Sequence, residues 1–252
     1  MTRYQLEGKS ILITGGATGI GLSTARIAAA SGARITIAGR DRGRGEAAVA
    51  EIVGAGGIAQ YVPVDISDES SVESMVASVL QTYGKLDAAF NNGGVPAAPN
   101  LLHLTTTEEY RRLTGVILDG AFFCLKYEVN AMLDTGGSIL YTTSGGATSI
   151  VEQLGIYAVA KAGMNAIVRQ AAKDYGNKGI RVNAVVPGVT RTPMTEQALL
   201  TYPGLVDTLS EQHPLGRIGE ADEVAHGAAW LLSDDASFVT GAFLTVDGGF
   251  TL

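Results

Sequence analysis

Seven short apolar segments punctuate the chain: Lys9–Thr14, Arg34–Ala38, Ile58–Val64, Leu86–Asn91, Gly137–Thr143, Arg181–Val186 and Ala242–Val246. Each has the length of a strand, and the stretches between them are long enough for helices. Strands that alternate with helices pair in parallel, because each crossover returns the chain to the same end of the sheet, and right-handed crossovers then cover both faces. The pattern predicts an α/β fold: a doubly wound sheet of about seven parallel strands flanked by helices, in a single domain spanning residues 1–252. Ligands of such sheets bind at the carboxyl ends of the strands. The residues that follow each strand are therefore the candidates for function.

The first strand runs into Thr14-Gly-Gly-Ala-Thr-Gly-Ile-Gly21, and apolar residues at Ile20, Ala25, Ile27 and Ala28 then begin a helix. A strand, a glycine turn and a helix N-terminus in this order expose backbone N–H groups and the positive end of a helix dipole, and glycine lets a phosphate approach closely. On the glycines alone, a pyrophosphate cradle and an ordinary glycine-rich turn are equally good readings.

Tyr157 and Lys161 stand four residues apart in an alanine-rich segment, so on a helix they share one face. A phenol titrates near pH 10, too high for proton transfer at neutral pH, and a neighbouring ammonium favours the phenolate. Ser144, after the strand Gly137–Thr143, is placed to hold a substrate oxygen by a hydrogen bond while Tyr157 gives or takes the proton. An isolated Tyr/Lys pair is usually structural. Its combination with the glycine turn is what points to chemistry.

The net charge of −7 argues against sequence-independent nucleic-acid binding, which needs a basic surface. The single cysteine, Cys124, excludes an intrachain disulfide and reads as a packed thiol. His103, His213 and His226 have no ligand-spaced partners, so no metal is expected. The polar N-terminus and the lack of a membrane-length apolar run predict a cytoplasmic protein.

From Lys9 to the C-terminus the chain resembles the short-chain dehydrogenase/reductase family, of the NADP-preferring carbonyl-reductase or 3-oxoacyl-reductase-like type. The resemblance rests on Thr14 to Gly21, Asp65, Asn91-Asn92-Gly93-Gly94, Ser144 thirteen residues before Tyr157, Arg181 to Gly188, Thr190 to Thr192, and the ending Val239 to Gly249. It implies a Rossmann-type fold and hydride transfer between NADP(H) and a ketone or secondary alcohol. It makes Tyr157 the general acid/base, Ser144 the orienting hydroxyl, and Lys161 the group that lowers the tyrosine pKa and binds the nicotinamide ribose. By the same resemblance the cofactor is held by Gly15, Thr18, Gly19, Ile20 and Gly21, by Asp65 and Ile66 at the adenine, by Asn92 and Gly93, and by Pro187, Gly188, Val189, Thr190 and Thr192 near the nicotinamide. A homotetramer or homodimer is implied, with Phe122, Phe123, Phe238 and Phe250 as interface candidates.

Two departures stand out. Gly93 replaces the family's alanine, a small change. Ile117, in Val116-Ile117-Leu118-Asp119-Gly120, replaces an asparagine that helps to hold a proton-relay water, so proton exchange is expected to be slowed or rerouted. An Ile117→Asn change would raise turnover if that relay limits, and would not if isoleucine has been accommodated by packing.

At the end of the second strand Gly39-Arg40 replaces the acidic residue that would repel a 2′-phosphate, which favours NADP(H) and leaves NAD(H) possible. The alternative is that Arg40, Arg42 and Arg44, with Asp41 and Glu46, form a solvated helix start. Val95–Thr107 and a lid within 191–213 are expected to shape the pocket. Val151, Leu154, Met194, Leu199 and Leu200 there suggest a hydrophobic or cyclic substrate, although they would equally pack on the lid itself. Arg191 and Arg217 are read as structural, with no acyl-carrier site assigned. Two other functions stay open: an NAD-dependent dehydrogenase of a cyclic alcohol or diol, and a non-catalytic NADP(H)-binding regulatory protein.

Overall fold

The computed structural model describes residues 4–147, 151–196 and 204–252. Its strands are β1 (Ser10–Thr14), β2 (Arg34–Gly39), β3 (Ile58–Pro63), β4 (Ala88–Asn91), β5 (Gly137–Thr142), β6 (Ile180–Pro187), β7 (Thr190–Arg191), β8 (Gly219–Glu220) and β9 (Phe243–Val246). The helices between them are α1 (Gly19–Ala30), α2 (Arg42–Gly54), α3 (Glu69–Tyr83), α4 (Thr107–Thr114), α5 (Gly120–Met132), α6 (Gly155–Tyr175), α7 (Leu205–Glu211) and α8 (Ala221–Leu232). Seven strands form one parallel sheet in the order β3-β2-β1-β4-β5-β6-β9. The seven apolar segments are the seven strands of this Rossmann-type sheet.

The chain moves outward from β1 to β3 and then returns to place β4 against the other side of β1. That reversal opens a crevice at the carboxyl ends of β1 and β4, where doubly wound sheets hold ligands. Both faces of β1 are covered. Leu12 packs into the layer beneath α3, α5 and α6, whereas Ile11 and Ile13 pack beneath α1, α2 and α8. Central parallel strands are therefore apolar throughout, and all five residues of β1 are buried.

Two local features depart from the sequence pattern. Strand β4 starts at Ala88, not Leu86, because the Asp87 carboxylate takes the Ser10 N–H at 2.8 Å and engages Lys85, tying off the strand entrance. A separate two-stranded parallel pair, β7 with β8, fastens the loop after β6 to the start of α8. Two-residue strands carry no apolar period to read. Among the described residues no helix is long and apolar enough to cross a membrane.

Candidate active site

Strand β1 delivers Thr14 to the crevice, and its hydroxyl accepts hydrogen bonds from the backbone N–H groups of Asn92 (3.1 Å) and Gly93 (3.0 Å). The Asn92 side-chain amide donates to the Gly15 carbonyl at 3.3 Å, so the loops after β1 and β4 are stitched together. The glycines have physical reasons. Gly15 and Gly19 adopt positive φ of 63° and 53°, and a Cβ on Gly21 would lie 2.4 Å from the Gly15 carbonyl oxygen. At the start of α1, Thr18 makes no side-chain cap and the first turn carries no acidic residue. Its N–H groups and dipole are thus free to face an anion. The Ile20 side chain is buried in the core, which leaves its backbone for any phosphate contact.

Beside the end of β2, a Cβ on Gly39 would meet nothing within 4 Å, so the space next to Arg40 is open. Arg42 and Arg44 are engaged at the start of α2, with Glu46 at 3.0 Å and with Asp41 at 3.2 Å. Arg40 is exposed, and among the described residues no carboxylate lies within ion-pair distance of it. Its charge does reach Asp65, whose carboxyl is held below the usual range chiefly by the Ser67 hydroxyl at 2.7 Å and, more weakly, by Arg40. Ile66 lies against Gly93, where a Cβ would come 3.1 Å from the isoleucine Cδ1. Glycine after β4 therefore lets the two loops close on each other.

Helix α6 carries Tyr157 and Lys161 on one face, as their spacing predicts. The Lys161 ammonium donates to the Thr142 carbonyl at 2.6 Å, lies 5.8 Å from the centroid of the Tyr157 ring, and is pushed down to about 8 by burial. Thr142 also donates its hydroxyl to Asn92 at 3.0 Å, which links the lysine to the β4 loop. The Tyr157 phenol is raised above its ordinary value by burial, and a hydrogen bond with the Ser144 hydroxyl pulls it the other way. Lys161 is itself desolvated and engaged by a backbone carbonyl.

After β6, Thr190 donates to the Gly188 carbonyl at 3.0 Å, and Thr195 holds the Thr190 carbonyl at 2.7 Å. Thr192 reaches across to the glycine turn: a Cβ on Gly19 would meet its methyl group at 3.1 Å. Gly188, Val189 and Thr190 line a cavity of about 440 Å³ whose other walls include His213 to Leu215 and Asp247 to Gly249. Of the apolar pocket candidates, Met194 is exposed, Val151 and Leu154 are partly buried, and Leu199 and Leu200 lie outside the described residues, as does part of the expected lid. Arg191 pairs with Glu220 at 3.5 Å and Arg217 with Glu223 at 2.6 Å.

Sequence reasoning missed several positions here. Gln153 has φ +64°, uncommon for a residue with a side chain, and its carbonyl accepts the Asn100 N–H at 2.8 Å, which pins the loop after β4 to the entrance of α6. Leu102 then covers Gly155, at which a Cβ would lie 2.4 Å from the leucine Cδ2. Phe250 stacks on His213 of its own chain with ring centroids 5.0 Å apart. Phe122 and Phe238 are exposed, and Phe123 packs on the core.

Ile117 lies in a π-helical turn, Gly115–Asp119, between α4 and α5, and is only 1% exposed. It shares a void of about 10 Å³ with Thr14, Gly93, Cys124 and Met164. An asparagine in this apolar setting exchanges buried hydrocarbon for an amide with few partners. Ile117→Asn is therefore expected to cost about 3 kcal/mol of stability and to leave turnover no higher. Thermal melts beside steady-state rates check this, and a gain in turnover would contradict it.

A family model described as enoyl-(acyl carrier protein) reductase matches residues 15–251. The chain is 44% identical over 248 residues to 2,5-dichloro-2,5-cyclohexadiene-1,4-diol dehydrogenase of Sphingobium indicum, covering 98% of each chain. It is 36% identical over 251 residues to cyclohexanol dehydrogenase of Acinetobacter sp. (strain SE19), covering 98% of this chain and 96% of that one. The solved structure of a short-chain type dehydrogenase/reductase from Mycobacterium ulcerans superposes with a TM-score of 0.93 at 32% identity, over 97% of this chain and 90% of that one.

Proposed function

Because the chain belongs to the short-chain dehydrogenase/reductase family, we propose that it transfers a hydride between NADP(H) and a secondary alcohol or ketone carried on a ring. The observation that carries the reading is the Tyr157 ring 5.8 Å from the buried Lys161 ammonium, which the Thr142 carbonyl fixes at the end of the strand that leads into Ser144. The bound nicotinamide supplies the hydride acceptor or donor. Tyr157 holds or receives the proton at its phenolic oxygen while Ser144 orients the substrate oxygen. Lys161, fixed by the Thr142 carbonyl, binds the ribose hydroxyls, and with its pKa near 8 it exchanges a proton at neutral pH as an ordinary ammonium does not.

The chain's own residues fit such a cofactor. The uncapped N-terminus of α1 and the glycine turn suit the pyrophosphate, Asp65 and Ile66 the adenine, Asn92 and Gly93 the adenosine side, and Pro187 to Thr192 the nicotinamide end. Ring substrates are favoured by the partly buried apolar residues around Tyr157 and by the ring alcohols named for the two relatives. An acyl-carrier substrate is disfavoured, since Arg191 and Arg217 are both engaged by carboxylates. Oxidation of NADPH and NADH with cyclohexanone and ring diketones tests the reading. Tight cofactor binding without turnover of any ring ketone or alcohol would shift it to a regulatory role.

Arg40 carries the NADP(H) preference. Arg40→Asp is expected to weaken NADPH binding about 10- to 100-fold and to leave NADH binding unchanged or improved, as read by fluorescence titration. An unchanged NADPH dissociation constant would remove the argument. One observation favours NAD(H) instead: the Arg40 charge already acts on Asp65, which competes with a 2′-phosphate. We also infer a homo-oligomer, with the exposed Phe122 and Phe238 on its contact faces.

A further inference from the structure

The last six residues fold back on the active-site loop, and their geometry is built for it. Gly248 and Gly249 take φ of +61° and +87°, the left-handed region in which side chains are strained, and so reverse the chain after β9. The Asp247 carboxylate holds the returning turn by accepting from Gly249 N (2.8 Å), Thr251 N (3.0 Å) and the Thr251 hydroxyl (2.7 Å). Asp247 itself sits against Gly188 in the loop after β6, where a Cβ would come 2.9 Å from the Asp247 Cα. The tail is thus clamped, not frayed.

The clamp delivers Phe250 and Thr251 to Gly145, the residue next to Ser144: a Cβ there would lie 2.8 Å from the Thr251 methyl and 3.4 Å from Phe250 Cδ1. On its other side Phe250 stacks on His213, whose Nδ1 is 2.6 Å from the Leu209 carbonyl in α7. A flat apolar ring therefore stands between the loop that orients the substrate oxygen and the short helix of the expected lid.

Resting on the function proposed above, we propose that Phe250 is a specificity-determining residue: the clamped tail forms a fixed wall of the substrate pocket, and the Phe250 ring selects saturated six-membered ring alcohols over short open-chain ones. A cyclic alcohol presents a broad apolar face that an aromatic wall covers, whereas an open-chain alcohol of three or four carbons reaches Ser144 and Tyr157 without touching it.

The experiment compares cyclohexanol with 2-butanol as substrates of the wild type, Phe250→Ala and Phe250→Leu, with cofactor affinity measured in parallel. Phe250→Ala is expected to raise KM for cyclohexanol about tenfold and to change that for 2-butanol less than twofold, at constant cofactor affinity. Phe250→Leu should recover part of the loss. Equal changes for both alcohols, or none, would overturn the proposal while the general function stands. A wild type that turns over 2-butanol and no ring alcohol overturns both the ring reading and this wall.

Discussion

Replacing Tyr157 with phenylalanine is expected to lower turnover by about 10²- to 10⁴-fold while cofactor affinity stays within a few-fold of the wild type. The substitution removes a single oxygen. Tyr157 is partly buried in α6 and its ring packs against the core layer beneath that helix, so phenylalanine keeps the hydrocarbon contacts and the helix. What disappears is the atom that exchanges the proton, and with it the influence of Ser144 on the phenol. Ser144→Ala separates the two contributions: it leaves a proton carrier whose phenol loses the interaction that opposes burial, so a smaller fall in rate is expected, together with a shift of the pH–rate profile to higher pH. Equal rates for Tyr157→Phe and the wild type would remove Tyr157 from the chemistry.

The parts of this molecule that were legible in the sequence are those written in local patterns. Strand β1 reads as a strand because every residue from Ser10 to Thr14 is buried between two helix layers, and α6 places Tyr157 and Lys161 together because four residues make one turn. The glycines at 15, 19 and 21 mark backbone that a Cβ would strain or block. What could not be read arises from contacts between distant segments. The π-turn that buries Ile117, the left-handed Gln153, and the return of Phe250 to Gly145 have no periodic signature. The one legible trace of the last is Asp247-Gly248-Gly249, an acceptor followed by two glycines, which is also a common turn. The backbone partner of Lys161 was illegible for a similar reason. Spacing on a helix says which groups are near, and it does not say that a carbonyl of β5 has engaged the lysine first.

Glu128 gives the second large effect, and nothing in the sequence pattern marks it. It lies on α5, fully buried, with Oε2 accepting from the Asn91 side-chain amide at 2.8 Å directly behind the loop that carries Asn92 and Gly93. Burial raises its carboxyl from the usual 4.5 to about 7, and the Asn91 hydrogen bond only partly offsets this. Among the described residues, Glu128 Oε1 and Asn91 Oδ1 both lack hydrogen-bond partners, two acceptors that a proton on the carboxyl would serve. The sign follows from proton counting. Between pH 4.5 and 7 the unfolded chain releases this proton and the folded chain keeps it, so stability is highest below the unfolded value and falls as pH rises through the folded one. A shift of this size corresponds to up to about 3 kcal/mol, or roughly 6–12 °C in Tm for a chain of this length. Glu128→Gln keeps the shape, removes the titration and offers an N–H to Asn91 Oδ1. Its melting temperature is expected to be nearly flat from pH 5 to 8 and to exceed that of the wild type at pH 8. Because Asn92 ties this loop to the glycine turn through Gly15, cofactor affinity of the wild type should weaken over the same interval and that of the variant should not. Parallel melting profiles for the two proteins across this range would show that Glu128 is not the group that titrates.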